Sequence, residues 1–115
     1  MQINVINPWS WQEPFDFSHA IDVRGAEQRV RAWLLLRHAA QLATWNATPG
    51  HALYGRLDMD NVALVGHSRG GEAAAVAANM LAGRLVPAGL AAIDPTFHVG
   101  AVIAIAPSTG QYSGP

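Results

Sequence analysis

The residues best able to do chemistry lie in Asn61-Val-Ala-Leu-Val-Gly-His-Ser-Arg-Gly-Gly-Glu72, where a serine stands between glycines two positions to either side. A serine hydroxyl that attacks a carbonyl must stand clear of the sheet that carries it. A turn sharp enough to lift it holds the serine backbone in a sparsely populated conformation. Such a turn needs small neighbours, so Gly66, Gly70 and Gly71 are expected to remove side chains that would collide where strand and helix meet. The run Val62-Ala-Leu-Val65 has the composition of a buried parallel strand, and Glu72 to Leu81 is alanine-rich and favours a helix. A helix starting beside Ser68 aims its unpaired N–H groups and positive dipole end at the serine, which suits an anionic tetrahedral intermediate. The N–H of Arg69 is then the natural oxyanion donor. The competing structural reading is a glycine-rich turn in an ordinary βαβ unit. Phosphate-binding readings fit worse, because no Lys-Ser/Thr follows the glycines and the G-x-G-x-x-G spacing is missing.

The elements around this corner follow from the chain in order. Gln2 to Ile6 reads as a short strand stopped by Asn7-Pro8. Trp9, Trp11, Phe15 and Phe17 then crowd a loop without sustained period. A loop at the C-terminal edge of a parallel strand lies where ligands bind, so Trp9 and Trp11 are candidates to line an apolar cleft; the alternative is a loop packed on its own aromatics. Arg24 to about Asn46 reads as one helix. Arg24, Arg31 and His38 mark its polar stripe, while Trp33, Leu36, Ala40 and Ala43 are expected to face the sheet. Leu35 and Leu42 lie near the polar stripe and suggest cover on a second side. Thr48-Pro-Gly50 ends the helix, and Asp58 and Asp60 read as turn and cap residues before the serine strand. The helix after Ser68 is apolar nearly all round and should be the central buried one, closed by Gly83. Glu72, in its first turn, reads as structural rather than as a catalytic acid. Val99-Gly-Ala-Val-Ile-Ala-Ile-Ala106 is a continuous apolar strand, expected to be buried on both faces. The fold class is therefore α/β, with a parallel βαβαβ core.

Composition excludes several function classes. In 115 residues of net charge −1, seven arginines are scattered with no lysine and form no basic stripe, so a nucleic-acid partner is not expected. With no cysteine, disulfides and thiolate metal sites are excluded, and no metal or cofactor is implied. No apolar run approaches membrane-spanning length, and the first residues lack the pattern of a signal peptide. Nothing in the sequence assigns a compartment.

Gly66-His-Ser-Arg-Gly-Gly-Glu72, taken with Arg31-Ala-Trp-Leu-Leu-Leu-Arg-His38, Gly55-Arg-Leu-Asp58 and Ala104-Ile-Ala-Pro107, resembles a bacterial subgroup of the α/β-hydrolase superfamily from about Arg24 onward. The resemblance implies a partial α/β-hydrolase fold over residues 1–115, with the serine strand fifth in the family's sheet, the Val99 strand sixth and Gln2 to Ile6 fourth. It implies a cofactor-free serine hydrolase of esters, amides or related acyl compounds, with a small-molecule substrate, Ser68 as nucleophile in the family's elbow and Arg69 as backbone oxyanion donor. In this fold the triad acid and histidine follow the nucleophile on loops after later strands. Here only Glu72, Asp94 and His98 follow Ser68 among acids and histidines, and the tail from Pro107 to Pro115 has none. Asp94 and His98 precede the last strand, which puts them at the opposite end of the sheet, about 20 Å from the serine for a strand of this length. His67 is expected to pack or hydrogen-bond within the core. The 115 residues are thus expected to lack the triad acid and base, to be inactive alone, and to need the remainder of a hydrolase domain, leaving the Val99 strand as an aggregation-prone edge. The alternative is a non-catalytic module of the same fold that binds an apolar ligand or a protein partner.

Overall fold

The computed structural model describes residues 26–83, 93 and 96–108. The expected strand at Gln2 to Ile6, the loop bearing Trp9 and Trp11, Asp94 and the tail after Ser108 lie outside the described residues. Within them the order is α1 (Ala26–Ala47), β1 (Val62–His67), α2 (Arg69–Leu81) and β2 (Val99–Ile105). The two strands pair in parallel, which makes the architecture α/β.

Helix α1 buries a stripe of small and aliphatic side chains. Gln28, Ala32, Leu36, Ala39 and Ala43 are all buried, spaced by three or four residues as one helical face requires. This face is turned slightly from the expected one, since Trp33 and Ala40 are only half-buried. The larger correction concerns its partner. Helix α1 packs against α2 and makes no close backbone approach to either strand. Alanines at 32, 39 and 43 of α1 and at 73, 74 and 77 of α2 are all buried, which lets two helices come close. His38 is solvent-exposed and donates from Nδ1 to the Leu34 carbonyl at 2.7 Å.

The connector from α1 into β1 is tied down at its root. Asn46 accepts from the Leu57 N–H through Oδ1 at 2.9 Å and donates through Nδ2 to the Leu57 carbonyl at 3.0 Å. The Asn46 carbonyl also receives the Gly55 N–H at 2.9 Å. The His51 ring stacks on Trp45 at 5.1 Å between centroids, and its Nδ1 accepts the Leu53 N–H. Asp58 behaves as the turn residue its position suggests, with one carboxylate oxygen accepting the Asp60 N–H and the other the Asn61 amide.

Helix α2 is the centre of the fold, in contact with α1, β1 and β2. It closes as expected at Gly83, whose φ of 70° is left-handed and whose N–H reaches the Met80 carbonyl. The core joins Ala32, Leu36, Ala39 and Ala43 of α1 to Ala74, Val76 and Ala77 of α2, Leu64 of β1 and Phe97. In β2, Gly100 is the extra residue of a bulge between Val62 and Ala63, a frequent reason for glycine inside a strand.

The sheet departs from expectation in its burial. Residues 100–105 of β2 are all exposed, as are Ala63, Val65 and His67 of β1. The parallel register puts Ala63, Val65 and His67 on the same side as Ala101, Ile103 and Ile105. Helix α2 lies over the other side, where Leu64 is buried, and among the described residues nothing covers this one. His67 therefore stands on an open apolar face rather than in the core.

Candidate active site

The corner at Ser68 is built from both strand tips. Ser68 sits between the last residue of β1 and the first of α2, with φ 53° and ψ −122°. Few non-glycine residues tolerate such a conformation, at a cost of about 1–3 kcal/mol. Among the described residues one other non-glycine residue has positive φ: Ala106, at 41°, directly after β2. The two strained residues thus stand at the C-terminal tips of neighbouring parallel strands. Two hydrogen bonds join the tips, from the Ser68 N–H to the Ile105 carbonyl at 3.0 Å and from the Ser108 N–H to the Ser68 carbonyl at 3.1 Å.

The glycines divide their work unevenly. A Cβ on Gly66 would collide with the Gly70 carbonyl group and stand 2.6 Å from the Gly71 nitrogen, so the strand passes directly under the first turn of α2. A Cβ on Gly71 would be 3.1 Å from the Pro107 Cβ and 3.2 Å from the Gly66 oxygen. At Gly70 the expectation needs correcting, because a Cβ there meets nothing among the described residues. What the corner requires of Gly70 is its backbone, which fills the space that any side chain at 66 would need.

Ser68 is exposed and makes no side-chain capping bond to α2, so its hydroxyl is not consumed by the helix it precedes. Its carbonyl is held firmly, accepting the N–H groups of Gly71 at 3.0 Å, Glu72 at 3.4 Å and Ser108 at 3.1 Å. Arg69 opens α2 beside it, at the positive dipole end of the helix. Glu72, half-buried, accepts from Ser108 Oγ at 3.0 Å and from Gln28 Nε2 at 3.4 Å.

Residue type alone did not single out Gln28 or Ser108. Gln28 is fully buried, and its place four residues before Ala32 on the α1 stripe was the available signal. Ser108 follows Pro107, and nothing local marks it.

Of the histidines around the sheet, His98 is far from this corner, while His67 directly precedes Ser68 but is exposed on the bare sheet face. His98 pairs at the other end of the sheet, where its N–H meets the Met59 carbonyl at 2.8 Å and its ring Nδ1 lies 3.2 Å from the Asp60 carbonyl. His67 stands on the bare sheet face. Among the described residues no three or more His, Asp or Glu side chains gather as a metal-binding group would, and no helix is long and apolar enough to cross a membrane. Compared with protein-family models, with curated proteins and with solved structures, the chain matches none.

Proposed function

We propose that these residues form the nucleophile half of an α/β-hydrolase-type serine hydrolase acting on carboxylic esters or related acyl compounds. The observation that carries this reading is the strained, exposed Ser68 between a parallel strand and a helix N-terminus, with φ 53° and a hydroxyl uncommitted to capping. Backbone strain at a surface serine is costly, and proteins retain it where a side chain must be aimed.

Ser68 Oγ adds to the acyl carbonyl carbon while a general base takes its proton. The carbonyl oxygen becomes an oxyanion, accepted by the Arg69 N–H at the dipole end of α2. Collapse expels the alcohol and leaves an acyl-serine, which water hydrolyses by the same steps. One oxyanion donor of this kind is worth about 3 kcal/mol of transition-state stabilisation. Among the described residues no base is in place, because His98 is at the wrong end of the sheet, His67 is on the bare face and Glu72 is engaged with Ser108 and Gln28, so this reading takes the base and its acid from another part of the protein. Without a base, turnover falls by about a millionfold, the magnitude known from subtilisin.

Hydrolysis of p-nitrophenyl esters tests the reading. The intact enzyme should show saturable turnover that Ser68→Ala abolishes, while residues 1–115 alone should show none that depends on Ser68. Saturable, Ser68-dependent turnover by the isolated 115 residues would overturn the assignment of the base to another part of the protein. A saturable rate in the intact enzyme that Ser68→Ala leaves unchanged would overturn the nucleophile itself, and no saturable turnover at all would leave a non-catalytic ligand-binding module of the same fold.

A further inference from the structure

We infer that Glu72 is a positioning residue for the oxyanion donor and acts through Ser108; this rests on the hydrolase reading above. The donor N–H of Arg69 and the carbonyl of Ser68 belong to one peptide unit, which is planar and trans, so the two groups point in opposite directions. Whatever fixes the Ser68 carbonyl therefore aims the Arg69 N–H. Among the described residues that carbonyl has three donors. Two of them, from Gly71 and Glu72, come from the first turn of α2 itself and move with it. The third comes from Ser108, beyond the end of β2, and is the one that ties the peptide to the sheet rather than to its own helix.

Ser108 lies three residues past the end of β2, after the strained Ala106, where its backbone has no strand ladder to hold it. Its hydroxyl supplies the hold, donating to Glu72 Oε2 at 3.0 Å. The same oxygen takes the amide of the fully buried Gln28 at 3.4 Å, so the carboxylate is anchored to helix α1 as well. The chain of contacts runs from Gln28 to Glu72, to Ser108, to the Ser68 carbonyl and so to the Arg69 N–H. Glu72 touches neither the nucleophile side chain nor the reacting atoms in this scheme. It holds the plane of the peptide on which the oxyanion donor is mounted.

The expected signature is a defect confined to the transition state. In the intact enzyme, Ser108→Ala keeps the backbone N–H but cuts its tether, and should lower kcat about tenfold, a part of the full loss from deleting an oxyanion donor, with KM within about twofold. Ser108→Thr keeps the hydroxyl and should restore most of the rate. Glu72→Ala should match Ser108→Ala, and the double variant should be no slower than either single one, because both cut the same tether. Amide exchange at position 108 should quicken in both single variants, a readout independent of turnover. A rise in KM at constant kcat, multiplying losses in the double variant, or unchanged exchange at position 108 would overturn the inference while leaving Ser68 as nucleophile. Absence of any Ser68-dependent turnover in the unmodified enzyme would instead remove the hydrolase reading, and this inference with it.

Discussion

Ser68 stores backbone strain, which the proposed role as nucleophile accounts for. With φ 53° and ψ −122° it occupies a region where glycine is at ease and serine is not. Ser68→Gly should therefore stabilise the protein by about 1 kcal/mol even though it removes the hydroxyl. Urea unfolding measures this as a higher midpoint, and a lower midpoint would mean that the serine is not strained. The neighbouring glycines give a sharper contrast. Gly66→Ala drives a Cβ into the backbone at Gly70 and Gly71, which cannot yield as a flexible side chain would, and should cost about 3 kcal/mol. Gly70→Ala meets open space in a helical turn and should be neutral or stabilise by up to about 1 kcal/mol. Paired thermal melts would separate the two, and equal losses would contradict the geometry. The position of Ser68 was legible because glycine spacing is a local signal that reports backbone crowding directly. The Glu72 to Ser108 contact was not, since its partners are 36 residues apart and meet only once α2 and β2 have packed.

At the scale of elements, the connector shows how a helix end sets the start of a strand. Asn46 uses both ends of its amide on the backbone of Leu57, and its carbonyl holds Gly55, so the chain is turned back before it enters β1. Asn46→Ala removes two part-buried side-chain bonds and should cost about 2 kcal/mol. Faster amide exchange at Leu57 should accompany the loss of stability, and an unchanged unfolding midpoint would show that water replaces both bonds. The helices and strands themselves followed from apolar period, and their boundaries from residues such as Pro49 and Gly83. Their partners did not. An apolar face declares that something covers it, and α1 could have met this need with the sheet but met it with the alanine-rich side of α2. The same ambiguity explains β2, whose continuous apolar run indicates cover on both faces, whereas Val102, Ile103 and Ile105 are 39–51% exposed.

Among the described residues, helix α2 lies over one sheet face, on which Leu64 is buried, and the other face is bare. Val65, Ile103 and Ile105 project on the bare face with roughly half their surface open, a patch that favours self-association. If the remainder of a hydrolase domain covers it, Ile103→Lys should behave oppositely in two settings. In residues 1–115 alone it should change stability by less than about 0.5 kcal/mol and raise solubility. In the intact enzyme it should cost several kcal/mol, because a charge would be buried without a partner. Equal, small effects in both would mean that this face stays open to solvent.

The account turns on Ser68 as an activated nucleophile. A fluorophosphonate probe reacts covalently with such a serine, and peptide mass spectrometry locates the adduct. In the intact enzyme the account predicts a single adduct on Ser68, lost in Ser68→Ala; an unlabelled protein, or an adduct that persists in Ser68→Ala, would contradict it.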